Sequence, residues 1–374
     1  MDFSFTDEQN MLLETTRRFI SREYGFEARN RIVASDAGMS REAWTALAEI
    51  GLLALLIPEE DGGLGAGPVD TMLVMSAFGE GLVVEPFLTS AVMATSAISR
   101  LGNATQKDAW LPRLASGELI AAFAHDEASG SFDALAVATS ASQAGGGYII
   151  SGSKHVIYHA PQADLLLVSA KLPTGELGLF AVPSDTPGLH LKAYRSVDGQ
   201  RAADIHLEQV HIPEEARLGS GDASEIIAAV LDLGLAALCA EATGCLDKIL
   251  DATIEYTRNR RQFGVPIGKF QALQHRMADM LIHREQARSM SYLAAIRANE
   301  PDAAKRQHAV SAAKVLIGQA CRFVGQQAVQ IHGGMGVTDE LDVSHYFKRL
   351  FAIEKLFGST DTHLRRFSAG LQRT

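Results

Sequence analysis

The chain has little cysteine, fewer basic than acidic residues, and no uninterrupted apolar run of about 18 residues that would read directly as a membrane span. Its three cysteines among 374 residues, Cys239, Cys245 and Cys321, show neither zinc-ligand nor CxxC spacing, which argues against a thiolate metal centre or a disulfide framework. They are expected to be small buried hydrophobes in a reducing cytoplasm. The formal charge of −10 disfavours nucleic acid or an anionic membrane as the main partner, because both select for basic surfaces. The opening stretch MDFSFTDEQNMLLETTRRF carries acids near its start and lacks the apolar core of a signal peptide, so a cytoplasmic location is expected. Neither GxGxxG after a strand nor GxxxxGK[ST] occurs, which removes the two commonest nucleotide-binding signatures.

What is present divides into three zones. Up to residue 117, apolar residues recur at helical spacing in MLLETTRRFISREY and REAWTALAEIGLLALL, with turn chemistry in PEEDGGLGAGP. Over residues 118–222 the runs become short and β-branched or alternating, as in YIISGSKHVIYH, ADLLLVSAK, LGLFAVPS and ADIHLEQVHIP. Such strands, with no helices between them, predict an antiparallel barrel or sandwich. Helical periodicity returns in long segments over 223–374, with Gly333-Gly334 as the main interruption. The order is α, then β, then α, an α+β chain of three domains, and 47% hydrophobic residues are enough to build a core for each.

Two stretches of the last zone are specific. YTRNRRQFGVPIGKFQALQHRMADM and, later, QIHGGMGVTDE resemble the acyl-CoA dehydrogenase family, and the likeness extends to the opening helix and the GYIISGSKHVIYHAPQADLLLV hairpin. The resemblance implies an N-terminal helical domain, a middle antiparallel β-domain and a C-terminal four-helix bundle around FAD, in a homo-oligomer. In the bacterial members that act on pimeloyl-CoA-type and steroid side-chain thioesters, which this chain looks most like, it also implies an α2β2 heterotetramer of unlike subunits. Arg260 matches the arginine that reaches the FAD pyrophosphate, a task suited to a guanidinium fork. Phe263 and Gln271 match cofactor-packing and hydrogen-bonding positions. Gln330, Gly333 and Gly334 match a loop whose backbone approaches the adenosine-diphosphate half, where a Cβ would intrude. A helix-terminating glycine pair is the plainer reading of the last two.

The sequence departs from the family pattern at three places. The T-E-P-G-x-G-S-D segment that holds the flavin ring is here HDEASGSFD, in which only Glu127 and Asp133 align. The Trp-x-Thr that covers the ring is replaced by Val156-Ile157-Tyr158. The family's general base, a Glu before Gly-Thr, is replaced by Phe357 in EKLFGSTDTH, and a phenyl ring takes no proton. Glu354 and Asp361 are three or four residues away, roughly one helical turn.

Some family members carry the base on the first helix of the C-terminal domain, at a position matching Gly234. Seven residues further along, in LAALCAEATGCL, stands Glu241, on the same face but roughly 10 Å along the axis. Its small apolar surroundings would favour the neutral acid, as an α-proton base requires, so Glu241 is the candidate catalytic residue. The competing reading is a buried structural carboxylate bonded to an arginine.

The function implied is FAD-dependent α,β-dehydrogenation of an acyl-CoA to the trans-2-enoyl-CoA, with electron-transfer flavoprotein as acceptor. The alternatives are a silent subunit that completes a partner's FAD site, and a flavin monooxygenase of the same fold. No metal is expected.

Overall fold

The computed structural model describes residues 4–128 and 136–371, so Asp133 lies outside the described residues. The chain divides into two compact units that do not follow the three zones of the sequence. One gathers Met1–Asn30, Pro68–Val83 and Leu235–Thr374, and the other Arg31–Gly67 and Val84–Gly234.

Helix α1 (Asp7–Glu23) starts just after Thr6, whose side chain accepts from the Gln9 amide while the Gln9 side chain accepts from the Thr6 amide. Helix α2 (Phe26–Ala34) follows, then α3 (Arg41–Glu49) capped by Ser40, α4 (Pro68–Gly81), α5 (Thr95–Leu101) and α6 (Ala104–Ala115). The residues just before α5, Phe87–Ala94, form a π-helical stretch that runs into it.

Eight strands of the second unit form one sheet: β1 (Ala121–Ala124), β2 (Ser140–Ala144), β3 (Gly147–Tyr158), β4 (Leu165–Lys171), β5 (Leu177–Pro183), β6 (Leu189–Arg195), β7 (Arg201–Pro213) and β8 (Arg217–Leu218). Their order is β6-β7-β3-β2-β4-β5-β8, with β1 beside β4. The purely antiparallel expectation needs one amendment, because β1 pairs with β4 in parallel and β2 meets β4 in parallel at Ser140 and Lys171. Burial accounts for it. Strand β1 is buried throughout and β4 in all but its last residue, the continuous apolar pattern that parallel pairs require.

Residues 224–371 hold five helices rather than the four expected: α7 (Ser224–Asn259), α8 (Gln271–Arg297), α9 (Ala303–His332), α10 (Asp342–Lys355) and α11 (Thr360–Leu371). The extra break lies between α10 and α11, where Phe357 and Gly358 both have positive φ, 55° and 105°. Helix α9 packs against α8, α10 and α11. Helix α7 is long and apolar enough to cross a membrane, yet 83% of its most apolar window is buried inside the protein, which makes it a core helix. The three cysteines are free and buried, and burial pushes the Cys239 and Cys321 thiols up to about 11 and about 12.

Helices α4 and α7 cross at backbone contact. A Cβ on Gly79 would lie 2.0 Å from the Glu241 carbonyl oxygen, and one on Gly244 would lie 1.9 Å from that of Ser76. The Cys245 thiol donates to the Gly79 carbonyl at 3.3 Å in the same crossing. Either Gly79→Ala or Gly244→Ala is therefore expected to lower stability by about 3 kcal/mol, since the helices must part. Gly221→Ala, where a Cβ meets nothing within 4 Å, is expected to change little. Denaturant midpoints of the three variants check this.

Candidate active site

The R-x-x-F-G motif is a hairpin. Strands β9 (Arg261–Gln262) and β10 (Val265–Pro266) pair in antiparallel, leaving Phe263 and Gly264 as a two-residue turn with φ of 52° and 80°. Two positive φ values are the type I′ signature, and the second position is the glycine that geometry favours. The first is a phenylalanine that is 92% exposed and strained in its backbone, its ring edge-on to Phe270 with centroids 6.1 Å apart. Arg260 and Gln271 flank the hairpin, both exposed and without side-chain hydrogen bonds among the described residues.

The hairpin and the QIHGG motif are joined by one contact. His332 stacks on Tyr256, with ring centroids 4.2 Å apart and planes 29° from parallel, and the Tyr256 hydroxyl donates to the His332 carbonyl. Tyr256 is four residues before Arg260, so the stack ties the end of α7 to the end of α9, where Gln330, Gly333 and Gly334 are exposed. Gly333 closes α9 with φ +62°, which its helix-stop role explains. Gly334 has no positive φ, and nothing lies within 4 Å of where its Cβ would be. Its missing side chain leaves a backbone surface open to something outside this chain.

Glu241 is not the free base expected. Its Oε1 accepts from Arg349 Nε at 2.6 Å and its Oε2 from Arg349 Nη2 at 2.7 Å, with both side chains 5% exposed. This is the competing reading, a bidentate ion pair between α7 and α10. The apolar setting read from α7 omitted this neighbour. Arg349 was legible as an anomaly, because it falls on the buried face of α10 with Tyr346, Leu350 and Ile353.

Of the carboxylates near Phe357, Asp361 is exposed at the start of α11, four positions away, and makes no side-chain hydrogen bond or ion pair among the described residues. Glu354 is buried, accepts from the Thr360 amide, and pairs with Lys355 at 2.7 Å and Arg322 at 3.5 Å. Phe357 is held in its left-handed conformation by its surroundings. His363 Nε2 donates to its carbonyl at 2.9 Å, and the fully buried Lys314 donates to the carbonyls of Ile353 and Leu356 at the end of α10. Burial lowers the His363 pKa to about 4, so the imidazole is neutral and Nε2 carries its proton because only an acceptor faces it.

In the second unit the segment aligned with the flavin-ring contacts is anchored by Glu127. Its carboxylate accepts from the amides of Ala138 and Thr139, the Thr139 hydroxyl and Lys154 Nζ at 2.7 Å. Lys154 is fully buried and also donates to the His125 carbonyl and Ser169 Oγ. Burial works against the charge on Glu127, but Lys154 and the other donors bring its pKa down to about 2, and burial lowers Lys154 to about 8. The pair is ionised at neutral pH. Two residues beyond Lys154 a bulge interrupts the β3–β7 ladder and puts Val156 at φ 56°, its amide bonded to Asp204.

The chain matches three descriptions in sequence: acyl-CoA dehydrogenase N-terminal domain over residues 6–118, middle domain over 122–210 and C-terminal domain over 224–372. It is 31% identical to the probable acyl-CoA dehydrogenase YngJ of Bacillus subtilis over 361 residues, 93% of each chain. The chain belongs to the acyl-CoA dehydrogenase family. Among solved structures it is similar to the ChsE4-ChsE5 complex of Mycobacterium tuberculosis, with a TM-score of 0.91 and 27% identity over the whole of both chains. It is also similar to the Tcur3481-Tcur3483 steroid ACAD, with a TM-score of 0.90 and 28% identity over 98% of each.

As a family member it is an FAD-dependent oxidoreductase of acyl-CoA thioesters. The residues of the first unit fit the diphosphate end of that cofactor: an uncommitted guanidinium, two uncommitted amides and a glycine with open space before it. In the second unit Glu127 spends its oxygens on this chain's own donors.

Two outcomes are expected. Glu241→Gln removes the charge from the bidentate pair that Glu241 makes with buried Arg349 and should cost about 3 kcal/mol or more. A stable variant with only its turnover lost would restore Glu241 as the base. Lys154→Met strands Glu127 in the same way, at about 3–5 kcal/mol in denaturation at pH 7. The Glu127 pKa is lowered on folding, so its contribution is complete above the ordinary 4.5 and disappears as pH falls toward 2. The Lys154→Met variant should lack that acid limb.

Proposed function

We propose that the chain is one of two unlike subunits of an acyl-CoA dehydrogenase that forms trans-2-enoyl-CoA from a dicarboxylic or steroid side-chain thioester, with the α-proton base supplied by the partner. The observation that carries this reading is the state of the carboxylates. Phe357 stands where the usual base would be, Glu241 is closed by Arg349, Glu354 is bonded to Thr360, Lys355 and Arg322, and Asp361, though uncommitted, stands four positions away at the start of α11. Proton abstraction needs a carboxylate free to come within hydrogen-bond reach of the α-carbon.

Arg260, Gln271 and Gln330 would hold the diphosphate and adenosine end of FAD, Phe263 would pack on it, and Gly333 and Gly334 would let backbone approach it. Bound FAD supplies the hydride acceptor. The heteromeric reading draws support from the likeness to a chain of the ChsE4-ChsE5 complex, and the substrate class from the likeness to the Tcur3481-Tcur3483 steroid ACAD.

The test is expression alone and together with a related chain that carries Glu-Gly-Thr at the aligned position. The chain alone should hold little flavin and turn over no acyl-CoA, whereas the pair should hold flavin that bleaches with a dicarboxylic or steroid acyl-CoA. Arg260→Ala in this chain should reduce the flavin content of the pair. Turnover by the flavin-loaded chain alone would overturn the proposal.

A further inference from the structure

Within the second unit, the loop after α2, the turn at Ala160–Gln162 and the far end of the β6–β7 hairpin enclose a cleft of about 420 Å³. That volume is in the range of small-molecule sites. Three arginines line it, Arg41, Arg195 and Arg201, against one carboxylate, Asp36, leaving two positive charges uncompensated.

Arg195 and Arg201 are direct cross-strand neighbours in the β6–β7 register. Like charges so placed repel, and a structure that keeps them together has a use for an anion between or beside them. Arg201 is fixed in place, since Nη2 donates to the Ser35 carbonyl at 2.5 Å and Gly38, at φ +63°, comes so close that a Cβ there would lie 2.6 Å from Arg201 Cγ. The side chains of Arg41 and Arg195 are exposed and make no hydrogen bond or ion pair among the described residues.

A fourth group defines what the anion must carry. Gln162 Nε2 donates to the Ala37 carbonyl at 3.0 Å, which fixes the orientation of the amide, and its Oε1 is buried with no partner. A buried acceptor without a donor is the kind of defect that a ligand resolves.

We propose that this cleft binds a phosphate monoester of a hydroxyl-bearing small molecule. A phosphate monoester carries roughly −1.5 to −2 charge near neutral pH, which matches the uncompensated arginines, and its oxygens suit guanidinium forks. A hydroxyl on the esterified group supplies the donor that Gln162 Oε1 lacks. A dicarboxylate matches the charge but offers only acceptors.

The test is calorimetric titration of the full chain with ribose 5-phosphate at low ionic strength, with ribose, inorganic phosphate and succinate as comparisons. Ribose 5-phosphate should saturate a single site. Arg41→Ala and Arg195→Ala should each weaken binding about tenfold, the scale of one charge-assisted bond, without moving the thermal midpoint. Gln162→Leu should remove the preference for ribose 5-phosphate over inorganic phosphate. Arg260→Ala, in the other unit, should leave binding unchanged, which separates this cleft from the flavin residues. The proposal is overturned by any of three results: no saturable binding of ribose 5-phosphate, equal affinity for succinate or inorganic phosphate, or unaltered binding by both arginine variants.

Discussion

The first unit depends on a buried pair of opposite charges set beside a contact between two helix backbones. Glu241 and Arg349 join α7 to α10, and the Glu241 carbonyl is the atom against which Gly79 of α4 is pressed. The two constraints act on one residue. A charge pair taken out of water contributes little net stability, but it penalises any packing that separates its members. The glycine crossing has little tolerance for sliding, so the pair can be satisfied in only one register of the three helices. That is how a costly interaction becomes a specifying one.

This arrangement explains which parts of the site were legible in the sequence. The cap at Thr6 and the turn at Phe263-Gly264 are each built by residues within four positions of one another, so their signal is local. The identity of Glu241's partner is not local. Arg349 is 108 residues away, and a helix read by itself shows only the small neighbours on its own faces. The same limit hid the Lys154 contacts to Glu127, 27 residues earlier, and those of Lys314 to the end of α10. Each was nonetheless marked by a charged residue where a strand or helix turns inward. A lone ion on an apolar face predicts that a partner exists and says nothing of which.

Committed and uncommitted side chains separate by role. The buried carboxylates Glu241 and Glu354 are bonded within the chain, whereas Arg260, Gln271, Gln330 and Asp361 are exposed with no side-chain partner among the described residues. A chain that performed the whole reaction would need its base as available as its cofactor donors. Under the division proposed above, a subunit keeps open only the groups that its partner or cofactor would use.

Backbone strain follows the same division. Of the six non-glycine residues with positive φ among those described, three lie where the family resemblance places function: Val156 at the flavin-covering position, Phe263 at the hairpin tip and Phe357 at the base position. Such conformations cost on the order of 1–3 kcal/mol each, most for β-branched and aromatic residues, and persist only where surrounding bonds impose them. Asp204 imposes one on Val156, and His363 with Lys314 impose another on Phe357. Val156 and Phe357 carry no group that moves a proton, yet bonds from this chain hold their backbones in that region. Strain imposed in this way at segments the resemblance places beside the cofactor and substrate supports the proposal that they present a surface to something outside the chain.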